Sequence, residues 1–298
     1  MHRRDFLQNS MFSLAALSLG KQSFLKAISE DPWKITMLTN DIGIFTEKGG
    51  TIAFHYSKDG ITVIDAQFPD SAQHFIDEMK KRKDMPFHLL INTHHHFDHT
   101  SGNIDFKGLL NRVLAHENSL KNQKNVAVAN HTEDKQLYPN QTFTKEWNED
   151  IGKEKIGLHY FGAAHTDGDS IIHFKKANIA HVGDLVFNRL HPYVDRSAGA
   201  SMKSWINVLD SAMNQFDRKT IFICGHSGNN YDVKGSKEML QSFRDYLKNV
   251  LQFVDVEMKS GKTKEEILKA TEIPGSPEWK GDGIERPLTA AFEELSQG

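Results

Sequence analysis

The chain has 298 residues, 38% of them hydrophobic, and a formal net charge of −3. This size and composition predict one large globular domain, with at most a short appendage. Without a basic surplus, nothing favours nucleic acid or an anionic membrane surface as a partner. A single cysteine, Cys224, excludes an intrachain disulfide and leaves the compartment open.

The N-terminus has the layout of an export signal. Arg3 and Arg4 stand before Phe6, and an apolar stretch follows at 11–19. About nine apolar residues are too few for a membrane span, which needs roughly 20. Two arginines followed by Phe-Leu resemble a twin-arginine signal. An amphipathic helix packed on the domain is the alternative.

From this layout we expect an exported, periplasmic protein with no stable membrane span. Its signal peptide and linker occupy 1–30, and a single domain occupies 31–298. The expected partner is a small-molecule substrate, with no nucleic acid, and the sequence leaves the oligomeric state open.

In the first half of the domain, the pattern predicts an antiparallel meander, then a helix and a buried strand. Turn residues at 48–50 and 58–60 separate the first strands. The helix has apolar residues on one face at helical spacing. The predicted elements of this half are strands at 42–45, 51–56, 61–64 and 87–92 and a helix at 70–83.

The second half repeats strands and helices, which indicates the α/β class. Its predicted strands are 156–161, 170–174, 178–182 and 220–224, and its predicted helices are 115–123, 201–216, 234–254 and 263–271. The segment 124–150 is polar and weakly patterned, so we interpret it as an insertion or a mobile flap.

The most distinctive motif follows the apolar run 89–91 and reads His94-x-His96-x-Asp98-His99. In an extended loop, residues i and i+2 point to the same side, so His94 and His96 can bind one ion together. Asp98 and His99 lie one step further and can face a second ion. Such a cluster after a strand is rare by chance, and it predicts a metal site.

Three downstream residues can complete two metal sites. His165, Asp184 and His226 each follow a predicted strand, and active groups gather in loops at strand ends. A divalent ion such as zinc takes about four ligands, chiefly imidazole and carboxylate where thiolate is absent. His165 and His226 can therefore supply one ligand each, and the two oxygens of Asp184 can bridge the ions. His95 points away and is expected to be a filler or an outer hydrogen-bond donor.

This arrangement suits hydrolysis. Two ions about 3.5–4 Å apart share a water and lower its pKa towards neutrality. Asp98 can orient the resulting metal-bound hydroxide and shuttle its proton, which makes it the candidate catalytic residue. The sequence thus predicts a hydrolase that holds two Zn²⁺ per chain and cleaves a lactam, lactone, ester or thioester. Iron and manganese suit the same donors.

These motifs resemble those of the metallo-β-lactamase fold superfamily, over a stretch from about Trp33 to Val254. The resemblance implies a four-layer αββα sandwich with the metals at one edge of the two sheets. It also implies that His94, His96 and His165 hold the first ion. Asp98, His99 and His226 are implied for the second, with Asp184 as the bridge.

Within the superfamily, two clues point in different directions. The full set of seven candidate ligands, with Asp184 among them, resembles that of glyoxalase II, lactonases and related esterases more closely. Export, in contrast, fits β-lactamases better. The alternative function is a mononuclear-iron persulfide dioxygenase, which uses part of the ligand set. Flavodiiron reductases are disfavoured because they have a glutamate where His96 stands. A purely structural zinc site is disfavoured because such sites are closed and need no bridge.

The loop after Asp184 is rich in hydrogen-bond donors and predicts substrate contacts. His191 and Tyr193 are candidates for carbonyl or oxyanion donors, and Arg196 is a candidate anion anchor. Asn230, shortly after His226, is a further candidate. The alternative is a loop pinned by a polar network of the Asp195–Arg196 type.

Overall fold

The computed structural model describes residues 32–297, and the residues from 35 onward form one compact unit. The export signal expected at 1–30 lies outside the described residues. Within the part that is described, no helix is both long and apolar enough to cross a membrane.

Seven strands form the first sheet in sequence order. They are β1 (Lys34–Met37), β2 (Ile42–Thr46), β3 (Ile52–Ser57), β4 (Gly60–Ile64), β5 (Phe87–Ile91), β6 (Val113–His116) and β7 (Gln141–Phe143). Strands β2 to β4 form the predicted antiparallel meander, and β4 to β7 are parallel. Because β4 and β5 run in the same direction, the residues that follow them meet at one edge of the sheet.

Six strands form the second sheet, in the order β13-β12-β11-β10-β9-β8. They are β8 (Glu146–Ile151), β9 (Glu154–His159), β10 (Ile171–Phe174), β11 (Ile179–Asn188), β12 (Ile221–Ser227) and β13 (Lys234–Gly235). Strands β11 and β12 are parallel, and the other neighbours are antiparallel.

The α-helices connect and cover these strands. They are α1 (Pro69–Arg82), α2 (Phe97–Thr100), α3 (Glu117–Asn130), α4 (Met202–Gln215), α5 (Lys237–Lys259), α6 (Lys264–Ile267) and α7 (Glu285–Ser296). Short 3₁₀ turns occur at Ser101–Phe106, Glu133–Lys135 and Arg196–Ala198.

The two sheets pack face to face with helices on both outer sides. Leu89 of the first sheet and Phe174 of the second belong to the same buried cluster. On one outer side, Phe75 of α1 packs edge-on against Phe45, with ring centroids 5.5 Å apart. On the other, α4, α5 and α7 share a buried cluster with β11 and β12. The αββα sandwich that the sequence predicted is therefore confirmed.

The interpretation of 124–150 as an insertion or flap is wrong. Its first part completes α3, and its second part forms β7 and β8, which pair with β6 and β9. Strand β8 is an edge strand whose first five residues are exposed or half-buried. It therefore lacks the apolar alternation by which a strand is recognised. The tail after 271, which the sequence left without a prediction, contains α7.

Candidate metal centre

The histidine cluster changes backbone conformation halfway along its length. His96 is extended and is the N-cap of α2, so Asp98 and His99 belong to the first turn of a helix. Both His99 and Thr100 donate backbone hydrogen bonds to the His96 carbonyl, each at 3.0 Å. This switch directs the side chains before and after His96 to different sides, which creates two groups of donors.

The first group brings three imidazoles together. His96 Nδ1 lies 3.1 Å from His94 Nε2 and 2.8 Å from His165 Nε2. Asp184 Oδ2 lies 3.9 Å from His94 Nε2 and 3.6 Å from His165 Nε2. Tetrahedral zinc ligands at about 2.0–2.1 Å are roughly 3.3 Å from one another. The spacing and donor types of this group therefore fit one divalent ion.

The second group contains Asp98, His99 and His226. Asp98 Oδ2 lies 3.0 Å from His226 Nε2 and 3.8 Å from His99 Nε2. The two imidazole nitrogens are 3.4 Å apart. Phe187 stacks on the His226 ring at 5.6 Å. These atoms also have the spacing and chemistry of a metal site.

Asp184 stands between the two groups. Its Oδ2 lies 3.6 Å from His165 Nε2 of the first group and 3.4 Å from His226 Nε2 of the second, while its Oδ1 lies 3.1 Å from His99 Nε2. Oδ1 is buried and accepts no hydrogen bond from any described residue. A buried carboxylate oxygen without a hydrogen bond is costly, and coordination of an ion removes that cost. This orphaned oxygen is the strongest indication that the donors fit a metal pair.

Local backbone irregularity places Asp184 there. The sequence predicted a strand that ends before Gly183, but β11 continues to Asn188, with register shifts on both sides of Gly183. Gly183 has a φ of 52°, a region that favours glycine. A bulge of this kind turns a side chain out of the regular alternation. On the neighbouring strand β12, a Cβ added at Gly225 would collide with Asp184 Oδ1.

The charge distribution differs between the groups. Burial and the neighbouring His96 lower the pKa of His165 to about 3, so this imidazole is neutral, the form that binds metals. In the second group, burial lowers the pKa of His226, but Asp184 and Asp98 outweigh it and raise that pKa to about 9. The carboxylates of the second group therefore favour a positive charge at His226, and a bound metal ion would replace the proton on this imidazole.

A buried aspartate that the sequence analysis missed supports both groups. Asp65 follows β4 and is fully buried. His99 Nδ1 donates to its Oδ2 at 2.7 Å, and Thr93 Oγ1 donates to the same oxygen at 2.7 Å. The Thr93 hydroxyl oxygen in turn accepts from His94 Nδ1 at 3.0 Å. A polar residue directly after a strand was the available clue, and it is the same clue that singled out Asp184.

A second aspartate, which the sequence analysis placed only in a network that pins the loop, lies behind the first group. Asp195 Oδ2 accepts from His96 Nε2 at 3.0 Å and lies 3.5 Å from His95 Nε2. Burial raises the pKa of Asp195, but the hydrogen bonds from His95, His96 and Ser197 outweigh burial and hold it well below its usual range. No sequence motif links a residue at position 195 to one at position 96.

The four predicted substrate contacts have different environments. Tyr193 is 47% exposed, and its ring centroid is 5.5 Å from that of His96. His191 is buried, with Nδ1 2.7 Å from the Tyr246 hydroxyl, so it belongs to the core. Arg196 donates to the Ala200 carbonyl and to Gln297, which anchors the loop. Asn230 is exposed in a turn with a φ of 71°.

A cavity of about 870 Å³ includes Ser227, the residue after His226, in its lining. Arg189 and Lys280 also line it, whereas none of the seven candidate metal ligands does. The Arg189 guanidinium lies 4.4 Å from the Trp279 ring centroid, and its Nε is 3.0 Å from Glu278. Residues near the C-terminus therefore form one wall of this cavity.

Comparison with protein-family models gives a match to the Metallo-beta-lactamase superfamily over residues 52–226. Among curated proteins, the chain is 31% identical over 103 residues to the 2,4-dinitroanisole O-demethylase subunit alpha of Nocardioides sp. (strain JS1661). That match covers 34% of this chain and 30% of the relative. This chain is also 22% identical over 174 residues to Metallo-beta-lactamase IND-1 of Chryseobacterium indologenes. That second match covers 57% of this chain and 68% of the relative.

Solved structures with the same fold include two enzymes of different named activity. A metallo-beta-lactamase from Pontibacter korlensis superposes with a TM-score of 0.61 at 18% identity, covering 73% of this chain and 99% of the other. The stereoselective inverting sec-alkylsulfatase Pisa1 from Pseudomonas sp. superposes with a TM-score of 0.70 at 13% identity, covering 87% of this chain and 49% of the other. At these identities, the likeness establishes the fold alone.

Proposed function

This chain belongs to the metallo-β-lactamase superfamily, and on that basis we propose that it is an exported hydrolase with two zinc ions per chain. Its substrate contains a lactam, lactone, ester or thioester. The observation that carries the proposal is the position of Asp184 between two groups of donors, with a buried Oδ1 that accepts no hydrogen bond among the described residues.

Each ion has a set of ligands from this chain. His94, His96 and His165 are proposed for the first and Asp98, His99 and His226 for the second. Asp184 is proposed as the bridge, because its carboxylate lies 3.6 Å from His165 Nε2 of the first group and 3.1 Å from His99 Nε2 of the second. When bound, such an ion pair lowers the pKa of a water and polarises a substrate carbonyl.

Outer hydrogen bonds prepare the imidazoles for this role. Because His165 Nδ1 donates to the Tyr193 carbonyl at 2.8 Å, its Nε2 presents a lone pair to the centre. The bond from His99 Nδ1 to Asp65 has the same effect on His99 Nε2. Outer partners of this kind fix the tautomer and ring orientation of metal-binding histidines.

Asp98 is the proposed proton carrier. Its side chain is 29% exposed, whereas that of Asp184 is 4% exposed. Among the carboxylates of the two groups, Asp98 is therefore the one that can both contact the centre and exchange a proton with solvent. Its Oδ2 is held 3.0 Å from His226 Nε2. Tyr193, exposed beside His96, remains the proposed substrate contact with the best access.

The first experiment combines metal analysis with turnover. We expect the zinc-loaded chain to hold two zinc ions and to hydrolyse substrate without oxygen, and His96→Ala to be the inactive control. A chromogenic cephalosporin tests lactams, and lactones, aryl esters and thioesters test the rest. One iron per chain with oxygen consumption would favour a persulfide dioxygenase instead. A fully metal-loaded chain that hydrolyses none of the four substrate classes contradicts the proposal.

A further inference from the structure

The loop between β11 and α4 contacts two candidate ligands of the first ion at three points. The Tyr193 carbonyl accepts from His165 Nδ1 at 2.8 Å. The Asp195 backbone N–H donates to the His165 carbonyl at 3.2 Å. The Asp195 carboxylate accepts from His96 Nε2 at 3.0 Å. Comparable contacts to His226 are absent from the described part of this loop, so its influence is directed at the first group.

The carboxylate of Asp195 is itself held in place. Its Oδ1 accepts from Ser197 Oγ at 2.5 Å and from the Ala198 backbone N–H at 3.1 Å. Asp195 is the N-cap of the 3₁₀ turn that follows and is 6% exposed. With Oδ1 engaged by its own turn, Oδ2 is left to face His96 and His95. The acceptor offered to His96 therefore has a fixed position.

This fixed acceptor determines what His96 presents to the first site. A neutral imidazole has one N–H and one lone pair. Because a carboxylate can only accept, the N–H must be at Nε2, and the lone pair is then at Nδ1. Nδ1 is the atom that lies near His94 Nε2 and His165 Nε2. Rotation of the ring would break the bond to Asp195 and remove Nδ1 from the group.

We propose that Asp195 is a positioning residue for the first metal ion. It selects the tautomer and the ring orientation of His96, and it thereby sets the metal affinity of the first site without affecting the second. This inference rests on the proposed dinuclear centre. His95 Nε2 lies 3.5 Å from the same oxygen, which places the middle histidine of the cluster beside Asp195 and outside the ligand set.

The competing explanation is that Asp195 merely anchors the loop. A variant on the other side of the loop separates the two. Glu294 of α7 accepts from Ser201 Oγ at 2.8 Å and from the Met202 backbone N–H at 2.7 Å. Glu294→Gln therefore loosens the contacts of α7 with the start of α4 and with Arg196, the residue after Asp195, without touching a candidate ligand. Asp195→Asn keeps the size of the side chain but replaces the charged acceptor.

The experiment measures zinc binding to the metal-free full-length chain and its variants, in competition with a chromophoric chelator. The visible spectrum of the cobalt form reports on ligand geometry. We expect Asp195→Asn to weaken one of two sites by about 10–100-fold and to change the cobalt spectrum. We expect Glu294→Gln to lower the thermal unfolding midpoint of the metal-free chain and to leave both zinc affinities unchanged.

Two results would overturn the proposal. One is an Asp195→Asn protein with wild-type zinc affinities and cobalt spectrum. The other is a Glu294→Gln protein that loses the same affinity as Asp195→Asn. If Asp195→Asn does not fold, Ser197→Ala frees Oδ1 while keeping Oδ2, and we expect a several-fold loss at the same site; unchanged affinity there also overturns the proposal. A wild-type chain that binds no zinc refutes the proposed function together with this inference, whereas a wild-type-like Asp195→Asn refutes this inference alone.

Discussion

Asp65 offers a test of the second metal site that leaves the backbone unchanged. It has a φ of 61°, a region that asparagine tolerates well, so Asp65→Asn introduces no backbone strain. The carboxylate accepts three hydrogen bonds: from the Thr93 N–H at 2.8 Å and from Thr93 Oγ1 and His99 Nδ1 at 2.7 Å each. The carboxamide can replace only one of its two oxygens.

Asp65→Asn places an amide N–H group beside a side chain that already donates to position 65. If the amide oxygen continues to accept from the Thr93 N–H, the amide nitrogen faces His99 Nδ1, and two donors cannot pair. If His99 keeps its proton on Nδ1, a buried donor stays unsatisfied, which costs about 1–3 kcal/mol of stability. If His99 instead moves the proton to Nε2, the lone pair is removed from the second group. Loss of such an outer partner typically costs about 10–100-fold in metal affinity.

Two measurements check this prediction. Urea unfolding of the metal-free chain gives the stability change, and chelator competition gives both zinc affinities. We expect Asp65→Asn to weaken mainly the site that contains His99, with a smaller effect on the site of His94, which reaches Asp65 only through the Thr93 hydroxyl. Asp217→Asn, an exposed aspartate that caps its own turn, is the matched control. Wild-type zinc affinity in Asp65→Asn would refute the reasoning.

Three further predictions concern single side chains. His96→Ala removes a donor from the first group, so it should lose metal and activity while the fold largely survives; retained zinc stoichiometry would argue against the ligand assignment. Asp184→Asn should lower turnover by about tenfold or more, because the carboxamide bridges ions poorly; unchanged turnover removes its bridging role. Burial and the nearby His159 lower the pKa of His173 to about 4, whereas the unfolded chain takes up this proton near pH 6.5. The free energy of unfolding should therefore fall as pH drops from about 6.5 to 4. His173→Gln should reduce that fall in urea unfolding at pH 7 and pH 5, and an unchanged difference counts against it.

The sequence predicted those strands and helices whose own residues have a clear apolar period. The meander at 42–64 has short β-rich runs between turn residues, and β2, β3 and β4 form there. The helix predicted at 70–83 is α1 (Pro69–Arg82), whose buried face holds Phe75 and Met79. In each case a local period and the burial of one face agree.

The sequence did not predict the features that depend on contacts between segments far apart in the chain. Strand β8 has little apolar pattern of its own and forms because β9 offers it an unpaired edge. Asp195 is equally invisible in the sequence, because its role depends on a loop that crosses behind His96 in the folded chain. His191 and Arg196 looked like substrate contacts because donors in loops often are, yet the contacts of both point into the protein.

The proposed metal ligands lie within the region that matches the superfamily, whereas part of the large cavity is lined by residues after that region. All seven proposed metal ligands lie within the residues that match the superfamily, 52–226. The wall of the cavity that includes Ser227 comes partly from residues after that stretch, including Pro277 and Lys280. Trp279 packs under Arg189 and stacks on Tyr246 of α5 at 4.7 Å, so this wall is anchored to the core. Family membership therefore supports a metal-dependent reaction, while the shape of this cavity depends on C-terminal residues outside the matched region.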